Sequence, residues 1–385
     1  MGQFALRAIW KPAAGFATRI LSAVAKMNGE SNLELRQVRS ILCVELSHLG
    51  DVVAILPVLE HFKKTLPNAS VTVAIDREYA SMFRFVPYVD NMIGLSDTSG
   101  ILGLMKSLRL IRKNSYDLVC SMSPSSRNAL LAASMVHAKG RVGYFVTSDS
   151  VTPFLTRTKL TNYGIASSTR AVYEGENLYE RPKKIEKLLG IANSTISPRF
   201  HIPLESQTEY ENKLRQRGLL LDSPYIVFHP FAGWKYRRWP SAFAMRFMEK
   251  FARDKKKLIL IGNADEAHDG NLMYDELKNS ENVAHAFGLP LDELIVLLSR
   301  AALFVGTDSG PLHLAAAVGI PVVGLYGPAH PQYTAPEQRN HSFFFKQVEC
   351  SPCDQRNCVR PTHSCMHLIS VEEVLEEVEK RLHAR

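Results

Sequence analysis

Residues 304–327 constrain the fold more than any other stretch of this 385-residue chain. The apolar run Leu303-Phe-Val305 gives way to Gly306-Thr-Asp-Ser-Gly310, then to small residues from Pro311 to Val318, then to Gly319 and the β-branched run Val322-Val-Gly-Leu325. Short apolar runs bounded by glycine read as buried strands, and a helix between two of them is the crossover of a parallel sheet. The turn at 306–310 falls at the carboxyl end of its strand, where open parallel sheets bind ligands. Asp308 or Ser309 can cap the helix. Pro311 suits the first turn, where its missing N–H has no partner to lose, and Gly310 admits a close backbone approach. Unpaired N–H groups and the positive end of the helix dipole favour an anion such as a diphosphate there, although an ordinary capped helix needs the same residues.

The same alternation runs through the chain. Apolar runs predict strands at 41–46, 71–75, 92–95 and 117–122, with helices at 52–64, 102–112 and 126–136. The periodicity weakens over 144–206, where one helix is expected at 183–189, and a polar helix ends near Arg217. A second alternation follows, with strands at 225–230, 258–261 and 283–287 and helices at 241–253, 265–278 and 291–301. This pattern is the α/β class: two Rossmann-like, doubly wound domains facing across a cleft. The expected domains are 39–210 and 211–385, preceded by an extension over 1–38. The last helix, 370–385, sets Val371, Val374, Leu375, Val378 and Leu382 on one face behind a Ser370/Glu373 capping box.

In the extension, Ala13, Phe16, Ile20, Val24 and Met27 share one helical face, and Arg7, Lys11, Arg19 and Lys26 are basic with no acidic residue up to Met27. Such a helix either lies on an anionic membrane surface or packs on its own protein. No run of about 18 uncharged apolar residues and no secretory signal is present, so a cytoplasmic protein is expected. A net charge of +8 favours anionic partners. The basic residues are scattered and form no nucleic-acid motif, so no nucleic acid is expected. A nicotinamide-dependent oxidoreductase is disfavoured because the first turn, Ser47-His-Leu-Gly-Asp51, is not G-x-G-x-x-G. Cys350, Cys353, Cys358 and Cys365 are compact enough for one tetrahedral thiolate site, with zinc ahead of iron; free or paired thiols are the alternative.

Several of these residues resemble the heptosyltransferase family, the ADP-heptose transferases of the lipopolysaccharide inner core. Leu49-Gly-Asp-Val-Val53 with Pro67-Asn-Ala69 resembles the family's opening. Thr307-Asp-Ser-Gly-Pro-Leu-His-Leu-Ala-Ala-Ala317 resembles its donor signature, and His229-Pro230, Arg237-Arg-Trp-Pro240 and Tyr326-Gly-Pro328 fit as well. The resemblance implies a GT-B glycosyltransferase, with the acceptor on the first domain and the sugar nucleotide on the second. It implies Asp51 as catalytic base, Asp308, Ser309, Gly310, Pro311 and His313 at the donor diphosphate, and Glu266 on the ribose, with Asp265 and Asp269 as close alternatives. Arg237 stands where the family more often has Lys, and Lys235 is a second candidate for the phosphate clamp. The partners implied are an ADP-sugar and a lipid-linked oligosaccharide; no catalytic metal is expected. Another sugar, or a protein acceptor, remains open, as does an anion-binding module without transfer. Asp51 alone could equally be a helix cap, and His313 alone a core residue.

Overall fold

The computed structural model describes residues 34–95, 100–122, 133, 136–146, 163–167, 176–191, 197–219, 221–254, 256–277, 280–336, 340–351, 353, 357–360 and 364–383. The amphipathic stretch before Met27 and all but a few residues of the helix expected at 126–136 lie outside them. Twelve strands form two sheets among the described residues. The first holds β1 (Ser40–Val44), β2 (Ser70–Asp76), β3 (Asn91–Leu95), β4 (Tyr116–Ser121), β5 (Ala138–Val146) and β6 (Tyr163–Ser167). The second holds β7 (Tyr225–His229), β8 (Lys257–Gly262), β9 (Val283–Phe287), β10 (Leu303–Thr307), β11 (Val322–Tyr326) and β12 (His341–Phe345).

The sheets run β3-β2-β1-β4-β5-β6 and β12-β11-β10-β7-β8-β9, every pair parallel. Counted from its own first strand, each therefore has the order 3-2-1-4-5-6. The order reverses between β1 and β4 and again between β7 and β10, which leaves a crevice outside the carboxyl ends of those strands. The central strands β7, β10 and β11 are buried along their whole length, and so they are apolar on both faces rather than alternating.

The helices are α1 (Leu49–Thr65), α2 (Gly100–Ile111), α3 (Lys183–Leu188), α4 (Leu204–Gln216), α5 (Ser241–Arg253), α6 (Ala267–Asp275), α7 (Leu291–Ser299), α8 (Gly310–Val318), the single turn α9 (Pro331–Thr334) and α10 (Val371–His383). The expected capping box of α10 is present in both directions, the Ser370 N–H donating to Glu373 Oε2 at 3.1 Å and the Glu373 N–H donating to Ser370 Oγ at 3.3 Å. This helix buries Val371, Val374 and Val378 against α5 and the second sheet, at roughly 1.5–3 kcal/mol for each side chain. Trp239 is buried edge-on to Phe228, Phe243 and Phe247, and its Nε1 donates to the Ile369 carbonyl at 3.1 Å, pinning the entry to α10.

Among the described residues several contacts join the halves, one of them the packing of the 3-10 segment Arg77–Phe85 on α7, where Asp292 N–H donates to Ser81 Oγ at 3.4 Å. Helix α1 packs on α8, and a strap over residues 176–182 reaches α9. In the strap, Leu178 N–H donates to the Tyr333 carbonyl at 2.8 Å, and Asn177 Nδ2 donates to the carbonyls of Gln332 and Ala335 at 3.0 and 3.1 Å.

Three strands, β5, β6 and β12, were not expected from the periodicity. Strand β5 reads Ala-Lys-Gly-Arg-Val-Gly-Tyr-Phe-Val, which breaks any apolar run. Its polar members have structural reasons: Arg141 is buried and donates Nη2 to the Val136 carbonyl at 2.5 Å, while a Cβ at Gly143 would meet Ser121 Cβ at 2.8 Å.

Candidate functional site

The site lies where the two crevices face one another. From the first sheet, β1 leads through Ser47 and His48 into α1. His48 is the N-cap and Asp51 the third helical residue, and they form a reciprocal capping box in which the Asp51 carboxylate accepts the His48 N–H at 3.3 Å. Asp51 therefore does cap this helix, although not from the N-cap position. It is nonetheless 9% exposed and stands at the carboxyl edge of the sheet, near enough to His313 of α8 for its charge to act on that ring.

From the second sheet, β10 ends in Thr307, whose hydroxyl donates to the Phe231 carbonyl beyond β7. Ser309 then takes the N-cap position of α8, but no side chain caps the helix. Instead Ser309 Oγ donates to the Thr307 carbonyl at 3.1 Å and lies 3.0 Å from His229 Nδ1. The amino end of α8 is thus left to backbone donors, with Pro311 in its first turn.

Arg237 comes from the 3-10 turn Lys235–Arg237 after β7. Its Nη1 donates to the Asp308 carbonyl at 3.3 Å and lies 3.1 Å from Asp308 Oδ2. The carboxylate contact is oblique, so Oδ2 has no aligned hydrogen-bond donor. The same turn presents Lys235 outward, its Nζ 4.7 Å from the centre of the Tyr236 ring. Trp234 lies beside Arg237, with the guanidinium 5.0 Å from its ring centre.

Glu266 sits at the amino end of α6, 3% exposed. Its Oε2 accepts the Asn263 N–H at 2.9 Å and lies 3.3 Å from His229 Nε2. Burial alone would raise this carboxyl, but the hydrogen bond and charge of His229, the Asn263 amide and the charge of Arg238 outweigh it and hold it below the ordinary range. Asp269, a sequence alternative, pairs instead with Arg238 at 3.0 Å on the exposed side. His229 so links Glu266 to Ser309 across the second sheet's switch point.

His313, one turn into α8, is buried and hydrogen-bonded through Nδ1 to the Tyr179 hydroxyl at 2.6 Å. Burial lowers its pKa below the ordinary value despite the charges of Asp308 and Asp51, and Arg237 adds to the lowering, so the ring is neutral at pH 7. Burial likewise pushes the Tyr179 phenol up, with Asp308 and Asp51 adding to it.

The helix ends meet closely. A Cβ at Gly50 would lie 2.8 Å from His313 Cδ2, and one at Gly310 would lie 2.7 Å from Leu49 Cδ2 and 3.0 Å from Leu49 Cβ. Gly310 thus answers a second need besides ligand access: the approach of α1 across the seam.

Asp51, Arg237, Glu266, Asp308, Ser309, Gly310, Pro311 and His313 therefore gather at the two facing switch points. Lys235 stands on the rim. Sequence reasoning missed Glu45 and Tyr179. Glu45 sits inside an apolar run, and Tyr179 is 134 residues from the histidine it touches.

Among the described residues no three His, Cys, Asp or Glu side chains converge so as to hold an ion, and the cysteines are free, so a structural zinc at Cys350, Cys353, Cys358 and Cys365 is not supported. Cys350, Cys353 and Cys358 lie near enough to Cys365 to act on its thiol electrostatically, without converging on one point among the described residues. Cys350 is exposed, and the backbone of Cys353 is tied to the Pro328 carbonyl at 3.1 Å. Cys365 packs toward Gly327, where a Cβ would meet its Sγ at 2.8 Å. Burial first, and then the neighbouring thiols, push Cys365 up to about 11. Among the described residues no helix is long and apolar enough to cross a membrane.

The profile of glycosyltransferase family 9 (heptosyltransferase) matches residues 104–363, more than half of the chain. Lipopolysaccharide heptosyltransferase 1 of Pseudomonas aeruginosa is 24% identical over 347 residues, covering 86% of this chain and 91% of that protein. A family 9 glycosyl transferase structure from Veillonella parvula is similar with a TM-score of 0.75 at 20% identity, covering 92% of this chain and 100% of the other. The ADP-heptose lps heptosyltransferase II of E. coli has a TM-score of 0.69 at 21% identity, over 90% of this chain and 99% of its own. Two parallel α/β domains of this kind are the GT-B fold. With that fold and the match over residues 104–363, the chain belongs to glycosyltransferase family 9, the heptosyltransferases, and is a glycosyltransferase.

Proposed function

We propose that this enzyme transfers a heptosyl group from ADP-heptose to an acceptor of the lipopolysaccharide inner core, with inversion at the anomeric carbon. The observation that carries the reading is the meeting of α1 and α8. It sets the Asp51 carboxylate of one switch point opposite the uncapped helix end, Arg237 and Asp308 of the other. Family membership and the names of the relatives, which include an ADP-heptose lps heptosyltransferase, support the choice of donor and acceptor.

In this reading the donor diphosphate lies at the amino end of α8. The N–H groups of Ser309 and Gly310 and the guanidinium of Arg237, held by Asp308 and assisted by Lys235, stabilise the charge that grows as the sugar–phosphate bond breaks. Glu266, fixed by Asn263 and His229, accepts from the ribose hydroxyls. Asp51 takes the acceptor's hydroxyl proton as that oxygen attacks, a contribution typically worth about 10² to 10⁴ in rate. The tight seam excludes water, which would otherwise compete as acceptor. No step in this scheme calls for a metal ion. A lipid-linked acceptor would bring the protein to an anionic surface of the cytoplasmic membrane, and the basic residues of 1–38 are the proposed contact.

The test is a panel of ADP-, UDP- and GDP-linked sugars with a heptose-deficient core acceptor and mass-spectrometric detection of product. One heptose should be added from the ADP donor alone. Transfer from a UDP- or GDP-sugar, or onto a protein acceptor only, would replace this reading with the broader one of another sugar or acceptor on the same fold.

A further inference from the structure

Glu45 is a carboxyl group that the scheme above leaves unused. It follows β1 and is 0% exposed. Its backbone N–H donates to the Ala74 carbonyl of β2 at 2.9 Å, and its Oε1 accepts the Ser47 N–H at 2.9 Å. Oε2 has no hydrogen-bond partner among the described residues. A buried carboxylate oxygen in that state is costly, whereas a carboxylic acid in the same place is not.

Glu45 lines one small cleft together with Asp51, Met122, Leu178 and Arg181. Among the described residues, the charged groups facing it are Asp51 from α1 and Arg181 from the strap. Strand β2 contributes the Ala74 carbonyl, and the residue after β4 the Met122 side chain. The Arg181 guanidinium donates to the Glu176 carbonyl through Nε at 3.3 Å and Nη2 at 3.2 Å. Burial first, and then the charge of Asp51, push Glu45 up to about 8, against weaker opposing bonds from Ser47 and Leu46. Two carboxyl groups buried side by side do not both ionise cheaply, and such pairs divide into one acid and one base.

We propose that Glu45 is a positioning residue for the transfer, a neutral carboxylic acid placed beside Asp51 so that Asp51 alone carries the cleft's negative charge and stays fixed as the base. The inference rests on the reading of Asp51 as base. In the step itself the acceptor O–H bond breaks and its proton passes to Asp51. The oxygen's electron pair forms the bond to the anomeric carbon, and the bond from that carbon to the diphosphate breaks with its pair leaving on the nucleotide. The proton of Glu45 does not move. Ionising Glu45 sets a second negative charge against Asp51, and the repulsion displaces the base and draws water into the cleft.

The experiment is the pH profile of kcat/KM for the full-length wild type, Glu45→Gln and Asp51→Asn. The wild type should lose activity above pH 8, approaching tenfold per pH unit. Glu45→Gln keeps a donor that does not titrate. It should be about three- to tenfold slower at pH 7 and lack the basic limb. A variant that retains the wild-type basic limb, or a wild type without one, overturns the proposal. Asp51→Asn keeping more than about a tenth of wild-type activity instead defeats the base reading, since losing a general base typically costs more than that. Infrared spectroscopy covers the case in which Glu45→Gln does not fold. The wild type should show a buried protonated carboxyl at pH 7 that titrates near pH 8, with a lower midpoint in Asp51→Asn, where the neighbouring charge is gone. No such carboxyl, or an unchanged midpoint, also overturns it.

Discussion

Replacing Gly310 by alanine tests the seam on which the site depends. The new Cβ would lie 2.7 Å from Leu49 Cδ2 and 3.0 Å from Leu49 Cβ, whereas carbon atoms pack best at about 3.5–4.0 Å. The Cδ2 contact can be relieved by rotating the side chain. The Cβ contact is different, because that atom is fixed to the backbone of α1, so the helices must part by about 0.5 Å or more. Overpacking of this kind costs about 1–3 kcal/mol. Alanine in place of glycine returns up to about 1 kcal/mol through the unfolded chain. The net expectation is a loss of about 1–2 kcal/mol in urea-induced unfolding, with a weaker affinity for ADP measured by calorimetry. Leu49→Ala removes Cδ2 and Cγ but keeps Cβ, so the double variant should be more stable than the sum of the singles by only a part of that cost, about 0.5–1 kcal/mol. Strict additivity, with Gly310→Ala as stable as the wild type, would mean that α1 and α8 do not touch in solution.

Other consequences follow from single side chains. Glu45 is protonated in both folded and unfolded chains below pH 4.5. Between 4.5 and about 8 only the unfolded carboxyl ionises, so the stability it allows is lost at about 1.4 kcal/mol per pH unit and levels off above. Glu45→Gln should therefore gain on the wild type by roughly 5 kcal/mol as pH rises across that window, and a pH-independent difference would show that the group is not held neutral. Glu266→Ala strands the Asn263 N–H and removes the partner of His229 Nε2, so it should cost about 1–3 kcal/mol and weaken ADP binding. Because its folded pKa is lowered, the stabilisation is present above pH 4.5 and fades as pH falls below it; unchanged acid sensitivity in the variant would contradict that. Tyr179→Phe leaves His313 Nδ1 without its 2.6 Å partner and should destabilise by about 1–3 kcal/mol. A neutral result would mean that water replaces the hydroxyl.

The sequence carried the parts of the fold set by local pattern. The helix Ser241–Arg253 and strand Val283–Phe287 fall where periodicity places them, and the Ser370/Glu373 box starts α10 as its spacing predicts. Strand β5 was hidden because its Gly143 answers to Ser121 on the neighbouring strand, a contact with no signature in its own segment. At the site, Asp308, Ser309 and Gly310 were visible because a helix start has its own residue code. The pairing of Tyr179 with His313 and the burial of Glu45 beside Asp51 depend on the chain's return across the seam, and nothing in either segment alone reports them. The cysteine spacing did foretell that the thiols neighbour one another, but spacing alone does not fix whether they converge on an ion, and among the described residues they do not.

The most direct test of the account is a single-turnover comparison of wild type and Asp51→Asn, with donor saturating and ADP affinity measured in parallel. A base acts only on the acceptor proton in the transition state, so the variant should bind ADP within about twofold of the wild type and transfer about 10² to 10⁴ times more slowly. Asp51→Asn that binds ADP normally and transfers at more than a tenth of the wild-type rate would contradict the account, leaving Asp51 as the cap that its bond to His48 already makes it.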